Sequence, residues 1–332
     1  MVKRKKSKKT AKRKSTKSRA GKKKNNTLVY GAAAALLLAV IVLAFPGGNQ
    51  NQGVKKVMPG VFLHWEDFGR DNARRLLEKY RERICSFNDD MQGTAVVSLA
   101  AVLSACQRVG RKLSENKVVI FGAGTAGVGI ADVLSSAMQR EGVSKEEANR
   151  KFWLIDRPGL LTEDMKEVLP FQACYAQPPS LLSKRSLEVI VEKIQPTILI
   201  GASAQGGAFT ESVIRLMAKG VERPIILPLS NPNDKAEAVP EDILNWTDGK
   251  ALIATGSPFE PVVYNGKTIE VAQSNNAFSF PGIGLGVLAC QAKSVSDDML
   301  WVATTTLSEM MSGIQDPHAP LLPNLGQARV VA

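Results

Sequence analysis

Histidine and cysteine are scarce in this chain of 332 residues. The sequence holds two histidines, His64 and His318, and four cysteines, none of which forms a CxxC pair. This scarcity argues against a Ser-His-Asp triad, a three-histidine metal site, a cysteine-rich zinc site and a disulfide-dense scaffold. Hydrophobic residues nevertheless make up 44% of the chain, which is enough for a sizeable core and excludes a protein that is disordered throughout.

Acidic residues are absent from the first 24 positions, which hold 14 lysines and arginines. The rest of the chain has 29 basic and 31 acidic residues, so the net charge of +12 belongs to a tail. Residues 1–27 show no apolar periodicity, and we predict that they form a basic, disordered tail. Charge alone would attract such a tail to anionic lipid or nucleic acid, but no aromatic residues interleave it, so specific nucleic-acid binding is not expected.

One long apolar run, Leu28–Phe45, follows the tail. Its 18 uncharged residues would span about 27 Å as a helix, just enough for the hydrocarbon core of a bilayer. We predict a transmembrane or signal-anchor helix over 28–45 that keeps the N-terminus cytosolic and makes the membrane a partner. A cleaved targeting segment, import into an organelle such as a mitochondrion or plastid, and a buried soluble helix are the alternatives. Residues 46–60 have the composition of a polar linker.

Beyond residue 60 the pattern is that of a globular α/β protein. Short apolar runs alternate with helix-like stretches, which favours a doubly wound parallel sheet of the Rossmann type, covered by helices on both faces. We assign residues 89–274 to this sheet domain. Residues 61–88 and 275–332 would form a partial helical domain that packs against the sheet and contributes to binding substrate and metal.

Two helices and five strands follow from the spacing of apolar residues. Amphipathic periodicity predicts helices over 66–84 and 92–108, the second ending near Gly110. The predicted strands are Val118–Phe121, Trp153–Asp156, Thr197–Ile200, Ile225–Leu229 and Leu252–Thr255.

A glycine-rich segment directly follows the first of these strands and opens an apolar helix: Gly122-Ala123-Gly124-Thr125-Ala126-Gly127. In this context a GxGxxG segment predicts dinucleotide binding. Its glycines allow a tight turn, close approach to a pyrophosphate and close helix–strand packing, and the helix N-terminus attracts phosphate charge. Asp156, at the end of the next strand, would hold the ribose hydroxyls, and Arg157 beside it leaves NADP open as an alternative to NAD. A tight turn without a ligand is the competing interpretation.

Two acidic pairs, Glu66-Asp67 and Asp89-Asp90, stand near predicted helix starts. Each pair alone would be explained by the helix dipole, or by helix capping in the case of Asn88-Asp89-Asp90. Together, two oxygen-rich helix starts in a short helical hairpin could converge on a hard divalent cation, Mg²⁺ or Mn²⁺.

Several long segments resemble the malic enzyme family, in register over residues 60–332. LIDRPGLLTEDM and the first residues of the WEDF segment are especially close to the malolactic branch. The segments are WEDFGRDNARRLLEKYRERICSFNDDMQGTA (Trp65–Ala95), FGAGTAGVGIAD (Phe121–Asp132), LIDRPGLLTEDM (Leu154–Met165), SNPNDKAEA (Ser230–Ala238), WTDGKALIATGSPFEPVVYNGK (Trp246–Lys267) and NNAFSFPGIGLGVLA (Asn275–Ala289).

The resemblance implies oxidation of L-malate, or a similar 2-hydroxy dicarboxylic acid, by NAD(P), followed by decarboxylation on Mn²⁺ or Mg²⁺. The product would be pyruvate in a malic enzyme and lactate in a malolactic enzyme. Residue by residue, it places Glu66, Asp67 and Asp90 on the metal ligands and Asp89 on a supporting acidic position.

The resemblance also assigns neutral and small residues around substrate and cofactor. Asn231 and Asn275 fall on the pocket of substrate and nicotinamide, and Asn276 on the substrate pocket. Ser203 falls where a strand end approaches the cofactor. Family members form homo-oligomers, but the family's N-terminal half contributes to those contacts, so the resemblance leaves a homo-oligomer open as the assembly state.

The tyrosine and lysine that serve as general acid and base in this family belong to segments before the WEDF motif, and nothing here matches them. No catalytic acid or base is therefore assigned, and we expect the chain alone to be an inefficient enzyme. The alternative function is a membrane-anchored, catalytically inactive dinucleotide-binding module.

Overall fold

The computed structural model describes residues 60–66, 68, 70–179, 186–314 and 316–332. The basic tail, the apolar run 28–45 and residues 46–59 of the linker lie outside these ranges. In the described part of the chain no helix is both long enough and apolar enough to cross a bilayer. The longest helices there have 16 residues, about 24 Å, and both are packed inside the globular fold. This finding corrects two predictions: that the protein is a single-pass membrane protein, and that the membrane is one of its partners.

A seven-stranded sheet forms the centre of the fold. Numbered in chain order, the strands run in the sheet order β11-β8-β7-β6-β3-β4-β5, and every neighbouring pair is parallel except β4 and β5. Two further pairs stand apart, the parallel β1–β2 and the antiparallel β9–β10. The strands are β1 (Leu63–Trp65), β2 (Ser86–Asn88), β3 (Val118–Phe121), β4 (Phe152–Asp156), β5 (Gly159–Leu160), β6 (Ile198–Gly201), β7 (Ile225–Pro228), β8 (Leu252–Thr255), β9 (Val262–Tyr264), β10 (Lys267–Ile269) and β11 (Ala272–Gln273).

Helices cover both faces of the sheet. Alternate residues of a strand enter two separate cores. Val118 and Ile120 lie in one core with the helices at 94–109 and 125–140, and Val119 lies in the other with the helices at 187–194, 211–220 and 240–246. This division is the expected result of side chains alternating across a strand that is buried on both faces. The helices are α1 (Arg70–Tyr80), α2 (Thr94–Val109), α3 (Thr125–Arg140), α4 (Lys145–Asn149), α5 (Leu187–Ile194), α6 (Glu211–Gly220), α7 (Pro240–Trp246), α8 (Phe280–Cys290), α9 (Asp297–Glu309) and α10 (Ala328–Val331).

The prediction of an α/β fold with a parallel sheet is confirmed. All five predicted strands are present: two have the predicted bounds, two differ by one residue at one end, and one is shifted by one residue at both ends. Their apolar, largely β-branched runs have no competing helical periodicity, which explains the agreement. The division into a sheet domain over 89–274 and a partial helical domain stays a prediction.

The two predicted helices begin later than their periodicity suggests. The first spans Arg70–Tyr80 rather than 66–84, because Leu63–Trp65 just before it is extended and pairs with β2. The second begins at Thr94 after a π-helical turn over Asp89–Gly93. Its end at Gly110, in the left-handed conformation with φ of 63°, agrees with the prediction.

Cys106, on the buried face of α2, should be chemically inert in the folded chain. Its side chain is 4% exposed, and burial raises the pKa of its thiol to about 12. Because the thiolate is the nucleophile, iodoacetamide at pH 8 should alkylate exposed Cys290 and leave Cys106 unmodified until the chain is unfolded. Peptide mass spectrometry with and without denaturant measures both sites, and equal native rates at the two cysteines would contradict this expectation.

Candidate functional site

Parallel strands bring the predicted cofactor residues to one edge of the sheet. We call this the carboxyl edge: the ends of the parallel strands β3, β4, β6, β7, β8 and β11 and the segments that leave them. The chain passes from β3 to β4 on one side and later to β6 on the other, so the winding direction reverses between β3 and β6. Doubly wound sheets bind their ligands in the crevice at such a reversal.

The glycine turn closes tightly against the β6 end of that crevice. Gly122 has φ of +109°, and a Cβ there would lie 2.3 Å from the carbonyl oxygen of Ala202. A Cβ on Gly127 would lie 2.0 Å from the carbonyl oxygen of Gly122. Both positions therefore require glycine, and the close approach fits the cradle that a pyrophosphate needs.

Helix α3 points its N-terminus into the same crevice. Gly124 is its N-cap and provides no side-chain cap, and Thr125 and Ala126 form its first turn. Helix N-termini favour anions because their first N–H groups lack partners within the helix. The turn is held to the sheet by hydrogen bonds from the N–H groups of Gly122 and Ala123 to the Ile155 carbonyl, at 2.9 and 3.0 Å.

Asp156 lies beside the glycine turn, and a buried glutamine fixes it there. Gln172, 2% exposed, donates through Nε2 to Asp156 Oδ2 at 2.9 Å and to the carbonyl oxygen of Ala123 at 2.6 Å. The N–H of Arg157 donates to Asp156 Oδ1 at 2.9 Å, and the side chain of Arg157 is exposed. The ribose-binding prediction for Asp156 thus gains a positioning partner that the sequence analysis missed.

Replacing Gln172 by alanine should weaken dinucleotide binding and lower stability together. The change removes the hydrogen bonds that Gln172 donates to the Ala123 carbonyl and to Asp156 Oδ2, which should cost about 1–3 kcal/mol of unfolding free energy. Gln139→Ala on the exposed side of α3 is the control and should change neither quantity measurably. Urea unfolding and calorimetric titration with NAD measure the two effects; an unchanged Gln172→Ala variant would refute the positioning role.

Ser203 leaves β6 at the carboxyl edge and is held by a buried carboxyl group. Glu237, 0% exposed, accepts hydrogen bonds at Oε1 from Ser203 N (2.9 Å), Ser203 Oγ (2.7 Å) and Ser230 Oγ (2.6 Å). A Cβ on Gly201 would lie 2.3 Å from Glu237 Cδ, so the glycine makes room for this group. Glu237 therefore fastens the segment after β6 to the segment after β7.

The asparagines predicted for the substrate pocket follow β7 and β11. Asn231 is exposed in the segment after β7. Asn275 is partly buried, and its Oδ1 accepts from the N–H of Ala277 at 2.9 Å. Whether either side chain contacts substrate or cofactor stays a prediction.

One residue of each acidic pair, Glu66 and Asp89, is brought to the same place by strands rather than by the predicted helical hairpin. β1 and β2 run parallel with Trp65 opposite Asn88, so Glu66 and Asp89 leave the two strands side by side. Asn88 caps the turn that follows, accepting from the N–H of Met91 at 2.8 Å. Asp90 lies in that turn and is partly buried, and Asp67 is outside the described residues.

A cluster of three side chains, His64, Glu66 and Asp89, lies where β1 and β2 end. One potential ligand atom from each lies within 4.8 Å of the others. His64 Nε2 is 3.6 Å from Glu66 Oε2 and 3.7 Å from Asp89 Oδ1, too far for hydrogen bonds. His64 Nε2 and Asp89 Oδ1 are both buried without a hydrogen-bond partner. Such orphaned atoms, facing each other, fit the donor set of a divalent cation.

Asn276 joins this cluster to the carboxyl edge. Its Nδ2 donates to Asp89 Oδ2 at 3.0 Å and to the Asp89 carbonyl oxygen at 3.2 Å, while its Oδ1 accepts from Thr94 Oγ1 at 3.3 Å. Asn276, the predicted substrate contact, therefore holds Asp89 through its Nδ2 group and is itself held by Thr94 through its Oδ1 atom.

No general acid or base is assigned from the geometry. Tyr175 is engaged elsewhere: it is buried and its hydroxyl donates to Asp132 Oδ1 at 2.8 Å. Burial raises the pKa of Tyr175 above its ordinary value. Burial also raises the pKa of Asp132, outweighing the opposing charge of Arg74 at 3.1 Å.

Three residues of the site were not predicted from the sequence: His64, Gln172 and Glu237. His64 carried one signal, its position two residues before Glu66 in an extended segment, which places both side chains on one face. Gln172 and Glu237 act through contacts to residues 16 and 34 positions away, and spacing gives no warning of them.

The family model described as "Malic enzyme, NAD binding domain" matches residues 91–332. NAD-dependent malic enzyme 3 of Bacillus subtilis is 47% identical over 287 residues, covering 84% of this chain and 50% of that protein. The NAD-dependent malic enzyme of Escherichia coli K12 is 48% identical over 288 residues, covering 85% of this chain and 51% of that protein. The chain thus spans about half the length of the curated relatives it matches.

Solved structures agree on the fold. The NAD-dependent malic enzyme of Thermotoga maritima superposes with a TM-score of 0.68 at 26% identity, covering 91% of this chain and 75% of that one. The malic enzyme of Entamoeba histolytica gives 0.67 at 24% identity, covering 84% and 54%.

Proposed function

Because this chain belongs to the malic enzyme family, we propose that it takes part in the oxidative decarboxylation of L-malate, with NAD as oxidant and Mn²⁺ or Mg²⁺ as the divalent cation. The observation that carries the proposal is the hydrogen bond from Asn276 to Asp89, which ties the carboxylate cluster to the edge where the glycine turn lies. A cation and a dinucleotide bound at these two places would be neighbours.

One set of residues in this chain would bind the cofactor, and another set would bind the cation. Gly122, Gly124 and Gly127 with the start of α3 would receive the pyrophosphate, and Asp156 the ribose. Ser203, positioned by Glu237, would line the nicotinamide side. NAD bound there would supply the oxidant that takes the hydride from C2 of malate. NADP stays an alternative to NAD, because Arg157 beside Asp156 could hold the 2′-phosphate that distinguishes NADP.

Glu66, Asp67 and Asp90 would hold the cation, with Asp89 in support. The chemistry that a cation held by these residues would supply is polarisation of the malate hydroxyl and neutralisation of the charge that develops as carbon dioxide leaves. Asn231 and Asn275 are neutral amides that would orient the malate carboxylates without competing for the cation. Pyruvate or lactate as the final product, and assembly into a homo-oligomer, belong to the same proposal.

An activity assay on the purified full chain tests the proposal. With malate, NAD and Mn²⁺, we expect slow NADH formation, because no acid or base is assigned. Glu66→Gln should reduce it strongly and leave NAD affinity unchanged, because Glu66 belongs to the cation cluster and not to the glycine turn. Chromatography of the product separates pyruvate from lactate.

The same assay distinguishes malate oxidation from the second candidate function. NAD binding without any malate-dependent NADH formation would favour a catalytically inactive dinucleotide-binding module, in keeping with the lack of an assigned acid or base. Failure to bind NAD would overturn both functions.

A further inference from the structure

We propose that a cavity between helices α1, α2, α3 and α9 binds a small uncharged molecule that has an apolar body and one carbonyl oxygen, such as an aromatic ketone. The cavity has a volume of about 210 Å³. The described residues that form its wall include neither the glycine turn and Asp156 nor the cluster of His64, Glu66 and Asp89. It is therefore a binding site separate from those of the dinucleotide and the cation.

Apolar side chains from four helices form most of the wall. They include Leu77 of α1, Leu99 of α2, Val133 of α3 and Leu300 of α9, and all of these except Val133 are buried. An apolar cavity of roughly 150 Å³ is large enough to hold a benzene ring. The volume found here therefore accommodates a ring with one short substituent, and the wall favours an apolar ligand body.

A buried amide group of this wall lacks an acceptor. Gln92 is 7% exposed, and its Oε1 accepts from the N–H of Asn88 at 2.9 Å, which fixes the orientation of the amide. Its Nε2 group donates to none of the described residues. Because a buried donor without a partner is costly, a ligand that brings an acceptor gains affinity here. Gln92 also lies in the π-helical turn over Asp89–Gly93, so this ligand would contact the turn that carries Asp90.

A second unsatisfied donor belongs to Arg81, which lines the same cavity. Its Nη2 donates to Asp297 Oδ1 at 2.6 Å. Its Nε atom is buried and has no hydrogen-bond partner in the described part of the chain; Glu82 Oε1, 3.4 Å away, lacks the required geometry. The unsatisfied groups of Gln92 and Arg81 are both donors, so the complementary group on the ligand is an acceptor.

The charges around the cavity favour an uncharged ligand. Every charged residue in its wall already belongs to an ion pair, and the pairs are Arg81–Asp297 (2.6 Å), Arg140–Asp298 (2.5 Å) and Asp132–Arg74 (3.1 Å). An anion would have to compete with the aspartates, and a cation with the arginines. A carbonyl oxygen accepts hydrogen bonds without adding a charge that lacks a partner.

Three probes of one shape test the chemistry of the site. Acetophenone carries the carbonyl group, α-methylstyrene replaces its oxygen by a methylene group, and benzoate carries a carboxylate. Calorimetric titration of the full chain should show acetophenone binding. We expect α-methylstyrene to bind about fivefold or more weakly, because it offers no acceptor, and benzoate about tenfold or more weakly, because of its charge.

Each other outcome of this titration overturns the proposal. Equal binding of α-methylstyrene would show that the two donors do not recognise the ligand. Tighter binding of benzoate would show a site for anions, and binding of none of the three probes would show that the cavity takes no such molecule. NAD, malate and the cation are absent from the titration, so its result is independent of the proposed function.

A variant of Gln92 places the ligand in this cavity. At pH 8, Gln92→Glu keeps an acceptor for the Asn88 N–H but exchanges the Nε2 donor for an oxygen, so acetophenone binding should weaken about tenfold or more. The matched control is Gln139→Glu on the exposed side of α3, which should keep wild-type affinity. Urea unfolding checks that both variants are folded.

Nuclear magnetic resonance of the chain labelled with ¹⁵N-glutamine gives a direct readout. Acetophenone should shift one side-chain amide signal of the wild type, and that signal should be missing from the spectrum of Gln92→Glu. Bound acetophenone that leaves the Gln92 signal in place would lie elsewhere on the protein and would overturn the proposal.

Discussion

Replacing Gly127 by alanine is expected to reduce NAD affinity by more than about tenfold, a loss above 1.4 kcal/mol. The new Cβ would lie 2.0 Å from the carbonyl oxygen of Gly122, which is backbone and cannot rotate away. The glycine turn would have to open, and the backbone would leave the position in which it can approach a pyrophosphate. Overpacking of this kind should also cost about 1–3 kcal/mol of unfolding free energy.

The matched control lies two residues further along the same helix. A Cβ on Gly129 would have its nearest neighbour, the Met91 carbonyl oxygen, at 4.0 Å, an ordinary contact. Gly129→Ala should keep wild-type NAD affinity and gain up to about 1 kcal/mol of stability from helix propensity. Calorimetric titration with NAD and urea unfolding decide the matter. A Gly127→Ala variant that binds NAD as well as Gly129→Ala would show that the turn does not hold the dinucleotide.

Replacing Glu237 by alanine is expected to lower the unfolding free energy by at least about 3 kcal/mol. The change removes the acceptor of two donors from Ser203 and two from Ser230, in a place with no exposed surface. Each buried donor left without a partner costs about 1–3 kcal/mol. Because these bonds join the segments after β6 and β7, the loss should also weaken binding at the nicotinamide side of the crevice.

Two companion variants separate the hydrogen bonds from the charge. Glu237→Gln keeps a carbonyl oxygen that can accept at the Oε1 position, and it should lose less than about 2 kcal/mol. Glu241→Ala, an exposed glutamate in the first turn of α7, should lose less than about 1 kcal/mol. Urea unfolding of the four proteins measures the series, and a Glu237→Ala loss no larger than that of Glu241→Ala would contradict the role given to Glu237.

The sheet could be predicted from the sequence because the amino-acid pattern of each strand is itself typical of a buried strand. Runs such as Val118–Phe121 and Leu252–Thr255 are short, apolar and β-branched, and each is buried on both faces. The glycine turn could also be predicted, because a GxGxxG segment directly after a strand and at the start of a helix is a sequence signal in itself.

The geometry of the carboxylate cluster could not be predicted in the same way. Strands β1 and β2 have three residues each, and Leu63–Trp65 was too short to separate from the helix that follows. Convergence of Glu66 with Asp89 was expected, but through helix starts, whereas a parallel strand pair produces it. Contacts such as Asn276 to Asp89 join residues 187 positions apart, and only the packed fold brings them together.

The central claim is that the cation cluster and the dinucleotide crevice are neighbours on one edge. Nuclear magnetic relaxation of NAD bound to the Mn²⁺-loaded chain measures this most directly, with Glu66→Gln as the control that should lose Mn²⁺. With the adenosine ribose at Asp156 and the cluster tied to Asn276, the account predicts that Mn²⁺ relaxes the nicotinamide protons of bound NAD much faster than the adenine protons. Equal relaxation of both ends, or none at either, with both ligands bound, would contradict it.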